Sequence, residues 1–559
     1  LTMCGILAVH HVAEDIEAFK PKALHLSKQL RHRGPDWSGK AIRNQTILCH
    51  ERLAIVGVES GAQPLVSDDG KLVLTVNGEI YNHLKLRENL KGNYKFKTYS
   101  DCEVILYLYR EHGPACANML DGMFSWVLYD QDKDKVVAAR DPIGITTLYQ
   151  GFSSDSPDTA YFASELKALH PVCDKIIAFP PGHYYDSETK QTVRYFKPSW
   201  WDENKIPSNP VDYKLLRETL EASVRKRLMA EVPYGVLLSG GLDSSLIASI
   251  AARETEKLAN STSQSEEART ITAWPKLHSF AIGLPGSPDL LAARKVADFL
   301  HTFHHEHTFT IDEVLMLFVT LFTILRHMML PLSVQVPPCI YYLVKSRLKV
   351  LKWFCLVRDL TKSLVDTYIS VMPPLVRPSI PSVCVVLRTC TYPNACVLTS
   401  QLWLGVLRLV FLSWIRTFWK LLLTLILRRK CILTVVKKNI FFAKALDTTH
   451  DSSLQPYLPQ DILWRQKEQF SDGVGYSWID ALKDTAELCI SDDEFALPRR
   501  EWGDDIPTTK EAFWYRKLFD EIFPRQCADT VMRWVPKAEW GCPEDPSGRY
   551  QAGHVAALK

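Results

Sequence analysis

The stretch YGVLLSGGLDSSLIASIAA, residues 234–252, contains three local signals in the order strand, turn and helix. The apolar run YGVLL predicts a buried β-strand, and LIASIAA predicts a helix. Between them, the glycines and serines of SGGLDSS predict a tight turn. Glycines let a backbone approach an anion, and the N–H groups of a turn and of a helix N-terminus attract negative charge. The stretch therefore predicts an α/β fold with a phosphate site after a strand.

A further strand, turn and helix are predicted by residues 278–310, HSFAIGLPGSPDLLAARKVADFLHTFHHEHTFT. The G-x-x-x-x-G-K-[ST] phosphate motif is absent from the chain. SGGLDSS after a strand instead resembles the pyrophosphate loop of the ATP pyrophosphatases, which release pyrophosphate and form acyl-adenylates. This resemblance implies ATP and Mg²⁺ as ligands and assigns no metal-binding residue to the chain itself.

The same resemblance implies an ATP site built from this loop and the next strand. Leu238 and Ile282 would lie against the adenine and the ribose. Lys444, farther along the chain, aligns with a family lysine near the phosphates. The residues that would surround the phosphates come from the loop and the first turn of its helix: Ser239, Gly240, Gly241, Asp243, Ser244 and Ser245.

The N-terminal part of the chain carries a different set of motifs. Cys4 directly follows Met3, so removal of the methionine would leave a cysteine whose own α-amine can act as the base for its thiol. Taken alone, this dipeptide favours a buried cysteine that opens a β-strand. We expect Leu1 and Thr2 to be absent from the mature protein, because they would block that amine. The motifs RHRGPD, HERLAIVG, VNGEIYNH, SDCE and ARDPIG follow between residues 31 and 144.

Together these motifs resemble the class II glutamine amidotransferase domain, an N-terminal-nucleophile hydrolase, over residues 3–195. The resemblance implies an αββα sandwich in which two antiparallel sheets lie between helices. Cys4 would attack the side-chain amide of glutamine, while Asn77 and Gly78 would stabilise the oxyanion. A guanidinium suits the α-carboxylate of glutamine, and carboxylates suit its α-ammonium. The glutamine-binding residues implied in this way are Arg52, Leu53, Ala54, Ile55, Val56, Asn77, Gly78, Glu79 and Asp101.

A glutaminase-like domain followed by this pyrophosphate loop is similar to the glutamine-hydrolysing asparagine synthetases, and YLPQDILWRQKEQFSDGVGYSWID at residues 457–480 supports the similarity. The resemblance implies a two-domain α/β protein. Residues 3–195 would release ammonia, and residues 210–540, a doubly wound ATP-pyrophosphatase domain, would activate aspartate as β-aspartyl-AMP. Glutamine, aspartate and ATP are the implied partners, without nucleic acid or membrane. We also expect a homodimer, a cytoplasmic location, since no secretory signal is found, and a polar tail at residues 541–559.

Residues 314–446 differ in composition from the rest of the chain. They contain 18 Lys and Arg, two acids and one glycine, whereas the whole chain has a net charge of +3. The apolar run VLRLVFLSWIRTFWKLLLTLILRRKCILTVV, residues 406–436, lies within them and is interrupted by Arg408, Arg416 and Lys420. No uncharged stretch inside this run exceeds seven residues, and a helix needs ~20 to span a bilayer. We therefore predict no membrane span here.

A change of reading frame accounts for this segment. Residues 355–367, CLVRDLTKSLVDT, can be encoded by codons that give SGEGSDEIFGGY when read from the third base of the first codon. That sequence resembles the acidic adenylation loop that the family has in this part of the chain. Residues 324–339 and 396–409 also give family-like sequences in the same shifted frame. We therefore interpret residues 314–440 as an aberrant segment that is read out of frame.

Other functions fit parts of the pattern. β-Lactam synthetases lack a working glutaminase, so Cys4 argues against them, and the sugar and purine amidotransferases have different acceptor domains from the one that SGGLDSS indicates. A glutaminase-only or regulatory protein with a non-functional synthetase half is the remaining alternative, and it requires residues 314–440 to be genuine. Four nearby histidines suggest zinc, although the family resemblance explains them without a metal: His301, His304, His305 and His307.

Sequencing of the cDNA across codons 310–445 tests the frame interpretation directly. We expect one lost or gained base near codon 315 and a compensating change near codon 440, which together restore SGEGSDEIFGGY. A cDNA that encodes residues 314–440 in frame as written would contradict the interpretation and favour the glutaminase-only alternative.

Overall fold

The computed structural model describes residues 4–198, 212–232, 234–260, 276–313, 353–356, 444, 447, 455–465, 473, 475, 477–497, 502, 506–523 and 527. The predicted boundary between the two domains, at residues 196–209, falls mostly outside these ranges. The aberrant segment and the predicted tail at residues 541–559 also lie outside the described residues, except for a strand at 353–356 and the single residue Lys444.

The first domain contains two antiparallel sheets of six strands each. One sheet has the order β10-β8-β9-β1-β3-β2 and the other the order β12-β11-β7-β6-β5-β4. The strands are β1 (Gly5–His10), β2 (Trp37–Arg43), β3 (Thr46–Arg52), β4 (Leu65–Val66), β5 (Leu72–Ile80), β6 (Gly122–Asp130), β7 (Lys135–Arg140), β8 (Tyr149–Phe152), β9 (Ala160–Ala163), β10 (Lys175–Ala178), β11 (His183–Asp186) and β12 (Gln191–Arg194).

Helices cover the outer faces of these two sheets. They are α1 (Ile16–Lys28), α2 (His83–Glu88) and α3 (Val104–His112). Side chains alternate along each strand, so Leu7 and Val9 of β1 pack with α1, whereas Ile6 and Ala8 enter the core between the sheets. On the other side, α3 packs against Trp126 of β6 and its neighbours. The first domain is therefore layered as helix, sheet, sheet and helix.

The second domain is built on a parallel sheet of four described strands. Its elements are α4 (Tyr213–Arg225), β13 (Tyr234–Leu237), α5 (Leu242–Asn260), β14 (His278–Gly283), α6 (Pro288–Phe299), β15 (Phe303–Thr308) and β16 (Trp353–Leu356). The predicted strands and helices on both sides of SGGLDSS, and those of residues 278–310, are confirmed. The strand order is β15-β14-β13-β16. Because the order reverses beside β13, the carboxyl end of β13 is a topological switch point, where α/β sheets bind ligands.

Four C-terminal helices complete the described chain: α7 (Gln460–Leu463), α8 (Ser477–Cys489), α9 (Asp492–Ala496) and α10 (Lys510–Ile522). The end of α10 returns to the first domain. Phe519, Phe523 and Cys527 are buried in the same apolar cluster as α1 and the first sheet. No helix among the described residues has the length and apolar character needed to cross a bilayer.

Candidate functional sites

Cys4 lies at the start of β1, where its thiol is held by the backbone of Leu53. The Leu53 N–H donates to Cys4 Sγ at 3.3 Å, and the thiol donates to Leu53 O at 3.5 Å. Burial raises the pKa of the Cys4 thiol to about 11. The thiol therefore needs a base before it can act as a nucleophile at neutral pH.

A pocket with a volume of about 470 Å³, including its open mouth, surrounds this thiol. Its lining brings together nearly all residues that the glutaminase resemblance implied, namely Cys4, Arg52, Leu53, Ile55, Val56, Asn77, Gly78, Glu79 and Asp101. Ala54 is not part of the lining; its N–H donates to Asp36 Oδ2 at 3.0 Å. Five further residues complete the wall: Gly61, Gln63, Ser100, Cys102 and Met123.

The implied oxyanion donors lie on β5 beside the thiol. Asn77 Nδ2 is buried and has no hydrogen-bond acceptor among the described residues. A buried amide without a partner is costly, and an oxyanion in the pocket would supply the missing acceptor. Gly78 has no room for a side chain, since a Cβ there would overlap the Met123 carbonyl oxygen.

Charged groups of both signs lie in the pocket wall. The Arg52 guanidinium donates to the carbonyls of Gly57 at 2.7 Å and Val58 at 3.0 Å, and burial lowers its pKa. Asp101 Oδ2 accepts from the Ile80 N–H at 2.6 Å. Burial raises the pKa of Asp101 to about 6, and burial together with the neighbouring Asp101 raises the pKa of Glu79 well above its usual range.

Sequence reasoning did not assign a role to Arg33, although it lies in the RHRGPD motif. Its Nε donates to the Cys4 carbonyl oxygen at 2.9 Å, and its Nη1 pairs with Glu165 at 2.8 Å. It therefore fixes the backbone of the nucleophile. Cys102 was also missed; it is buried in the pocket wall, with its thiol 3.4 Å from the Gly78 carbonyl oxygen.

The SGGLDSS loop follows β13 and is closed by its own hydroxyl groups. Ser239 Oγ lies 2.9 Å from Ser244 Oγ, and Ser244 Oγ donates to the Gly241 carbonyl oxygen at 3.1 Å. Gly240 has a φ of +67°, and a Cβ there would overlap the backbone of α6. Ser245 Oγ is buried and lacks a hydrogen-bond partner among the described residues. Such a loop can accept an anion at the start of α5.

The other implied ATP residues lie at different distances from this loop. Leu238 directly follows β13 and donates its N–H to the Phe280 carbonyl oxygen at 2.7 Å, while Ile282 lies near the carboxyl end of β14. Asp243 is in the first turn of α5. Lys444 is exposed, and the described hydrogen bonds and ion pairs include none between it and the loop.

Arg465 reaches the loop although no sequence signal pointed to it. Its Nη1 donates to the Gly240 carbonyl oxygen at 3.1 Å, and its Nη2 pairs with Asp289 Oδ1 at 3.2 Å. It thereby ties the C-terminal part of the chain to the loop. As for the zinc hypothesis, no group of three or more His, Cys, Asp or Glu in the described ranges has the arrangement of a metal site.

Comparison with known proteins extends these observations to the whole chain. Residues 3–196 match the family described as glutamine amidotransferase domain, and residues 215–349 and 451–541 match the family described as asparagine synthase. Residues 350–450 lie outside the second match, and they overlap most of the predicted aberrant segment.

Three relatives align with the chain over nearly their full length. The probable asparagine synthetase (glutamine-hydrolyzing) of Schizosaccharomyces pombe is 80% identical over 100% of each chain. Asparagine synthetase (glutamine-hydrolyzing) 1 of Saccharomyces cerevisiae is 53% identical over 99% of each chain. The probable asparagine synthetase (glutamine-hydrolyzing) of Dictyostelium discoideum is 42% identical over 100% of each chain. The chain therefore belongs to the family of glutamine-hydrolysing asparagine synthetases.

Proposed function

We propose that this protein amidates L-aspartate to L-asparagine at the expense of ATP and takes the ammonia from glutamine. The observation that carries the proposal is the content of one pocket, in which the Cys4 thiol lies with a free amide donor and with charged groups of both signs. The guanidinium of Arg52 suits the α-carboxylate of glutamine. The carboxylates of Glu79 and Asp101 suit its α-ammonium.

In the first reaction, Cys4 Sγ attacks the amide carbon of glutamine. Asn77 Nδ2 and the Gly78 N–H then stabilise the negative oxygen of the tetrahedral intermediate. When this intermediate collapses, the amide nitrogen takes up one proton, the C–N bond breaks and neutral ammonia leaves. A thioester then remains on Cys4. Water hydrolyses the thioester to release glutamate and restore the thiol.

The base for this attack would be the α-amine of Cys4 itself. The thiol pKa of about 11 leaves little thiolate at neutral pH, whereas a free α-amine has a pKa of about 8. The amine can then take the thiol proton and later return it to the leaving ammonia. This role requires that Leu1, Thr2 and Met3 be absent from the active protein.

In the second reaction, the β-carboxylate of aspartate attacks the α-phosphorus of ATP, and pyrophosphate leaves. The SGGLDSS loop would hold the phosphates with its N–H groups, its hydroxyl groups and the start of α5. Ammonia then attacks the acyl carbon, so asparagine forms and AMP leaves. Because ammonia is mostly protonated in water near pH 7, it must pass between the two sites without equilibrating with solvent.

Mg²⁺ in nucleotide sites binds one or two carboxylates together with phosphate oxygens and water. Asp243, in the first turn of α5, fits one such ligand. When bound with ATP, the ion neutralises phosphate charge. Among the described residues, no group of three or more His, Cys, Asp or Glu is arranged to hold a metal ion.

In the frame interpretation, β16 would directly precede the restored acidic loop. Leu356, the last residue of β16, pairs with Leu237, the last residue of β13. The end of β16 therefore lies at the same edge of the sheet as the end of β13, which carries the SGGLDSS loop. In the shifted frame this part of the chain is SGEGSDEIFGGY, which would bring carboxylates to the phosphates and the metal.

Replacement of Cys4 by serine tests the proposed function. We expect the protein that carries the restored SGEGSDEIFGGY segment and Cys4 to release pyrophosphate with aspartate and MgATP when either glutamine or ammonia is supplied. Cys4→Ser should abolish the glutamine-dependent reaction and keep the ammonia-dependent one, because only the first uses the thiol. The measurement is a coupled pyrophosphate assay with parallel detection of glutamate.

Glutamate release without any pyrophosphate would contradict the synthetase and favour the glutaminase-only or regulatory alternative. Loss of both reactions in Cys4→Ser would instead show that the substitution damages more than the first site. The homodimer and the cytoplasmic location stay predictions of the family resemblance.

Glutamine binding should weaken in acid. Asp101, whose pKa is raised to about 6 by burial, loses its charge as the pH falls through that value and can then no longer attract the α-ammonium. We expect the dissociation constant for glutamine to rise below pH 6, by up to about tenfold per pH unit. Calorimetric titration of the Cys4→Ala protein measures it, because that protein cannot turn glutamine over.

Asp101→Asn serves as the control for this pH dependence, since it should bind glutamine weakly at pH 8 and keep only the pH dependence that Glu79 contributes. A dissociation constant that stays constant between pH 5 and 8 in the protein with Asp101 would contradict the role of this carboxylate.

Gly240→Ala should impair ATP binding. The positive φ of Gly240 costs an L-residue about 1–2 kcal/mol, and the added Cβ overlaps the backbone of α6. The loop conformation that binds phosphate becomes less populated, so we expect the affinity for MgATP to fall by about 5–30-fold. Fluorescence titration with a labelled ATP analogue measures the change.

Gly286→Ala is the matched control, because Gly286 also has a positive φ, of +74°, but has open space where the Cβ would lie. Gly286→Ala has the same unfavourable positive φ, but the strain falls in the turn before α6, outside the phosphate loop. Equal loss of ATP affinity in the two variants would contradict the assignment of the SGGLDSS loop.

A further inference from the structure

Glu231 connects the second domain to the first beside the glutaminase pocket. It lies between α4 and β13, and its backbone N–H donates to the Ile55 carbonyl oxygen at 3.0 Å. Its two carboxylate oxygens accept from consecutive backbone amides, the N–H of Gly57 at 2.9 Å and the N–H of Val58 at 2.9 Å. A carboxylate that accepts two backbone N–H groups makes strong, directional bonds.

The peptide segment that Glu231 holds is the one that orients Arg52. Residues 56–58 accept hydrogen bonds from the Arg52 guanidinium through all three of their carbonyl oxygens, at 3.4, 2.7 and 3.0 Å. The segment thus lies between the two domains' charged groups. Its N–H groups donate to the Glu231 carboxylate of the second domain, and its carbonyl groups accept from the Arg52 guanidinium in the pocket wall.

The conformation of this segment is special at Gly57. Its φ is +61°, and a Cβ there would stand 2.8 Å from the Ser100 backbone nitrogen. The turn therefore packs closely against Ser100, which itself lines the pocket. Removal of its partner in the second domain would leave two N–H groups without their acceptor and would allow the turn to relax.

We propose that Glu231 is a positioning residue for glutamine binding, acting from the second domain through residues 56–58 on the Arg52 guanidinium. The proposal rests on the proposed function, in which Arg52 binds the α-carboxylate of glutamine. The segment that leads into β13 would then contribute to both sites, because Glu231 is only eight residues before Ser239.

A simple role in docking the two domains is the main competitor. Lys226 provides the comparison, because its Nζ pairs with Asp121 Oδ2 of the first domain at 2.5 Å. This ion pair also joins the domains, but neither residue is among those that bond to residues 56–58 or line the pocket. If Glu231 served only to dock the two domains, loss of either contact would change the affinity for glutamine in the same way.

Glutamine binding to four proteins decides between these roles: Cys4→Ala alone, and Cys4→Ala combined with Glu231→Ala, Glu231→Gln or Lys226→Met. Calorimetry measures the dissociation constant without turnover. We expect Glu231→Ala to raise the dissociation constant for glutamine by about tenfold, because the guanidinium is misplaced. Glu231→Gln should also raise this constant. Lys226→Met should leave it unchanged. Loss of a negative charge near Arg52 would by itself favour the substrate carboxylate, so weaker binding reports position rather than charge.

Kinetics with Cys4 intact supply the second readout. Glu231→Ala should raise the KM for glutamine by the same factor and change kcat by no more than about twofold, because the groups around the amide carbon are untouched. Unchanged binding in both Glu231 variants, or equal weakening in Lys226→Met, would overturn this inference alone. Absence of glutamine binding in the Cys4→Ala parent would overturn the proposed function and this inference with it.

Discussion

The register between β1 and β3 is the constraint on which the glutaminase pocket depends. Gly5 pairs with Glu51 and Ile6 with His50, so Cys4 falls beside Arg52 and Leu53 at the open end of the strands. A slip of one residue would turn every side chain of β1 to the opposite face. Both faces of β1 are buried, and such a slip would exchange Ile6, which enters the core between the sheets, with Leu7, which packs with α1.

In the second domain, the phosphate loop depends on the position of one parallel strand, β13. β13 has a parallel neighbour on each side, and its carboxyl end is where the strand order reverses. A loop that follows β13 lies where the strand order reverses, which is where α/β sheets bind ligands. The short, apolar β13 and the glycine at position 240 are both needed there, because the strand must be buried while the turn that follows it must approach α6 closely.

Much of each site could be predicted from sequence because the motifs keep their residues close along the chain. SGGLDSS contains its own turn, hydroxyl groups and helix start, and VNGEIYNH places three pocket residues on one strand. Other contributors were missed because they contact backbone atoms of distant segments: Arg33, Gln63, Cys102, Glu231 and Arg465. A hydrogen bond to a backbone carbonyl or N–H does not depend on which side chain the partner residue carries. The sequence therefore contains no pair of residue types that would reveal such a contact. The role of Ala54 in glutamine binding stays a prediction of the family resemblance; its N–H donates to Asp36 Oδ2.

The return of α10 to the first domain has a consequence for biosynthesis. Phe519, Phe523 and Cys527 complete the apolar cluster around α1, but more than 300 residues separate them from the last strand of that domain. At a translation rate of about 5–20 residues per second, this face of the nascent chain stays uncovered for roughly 15–65 s after the rest of the domain has left the ribosome. During that interval the face is a surface for a chaperone or for another nascent chain. The first domain thus reaches its final form only after α10 has been made.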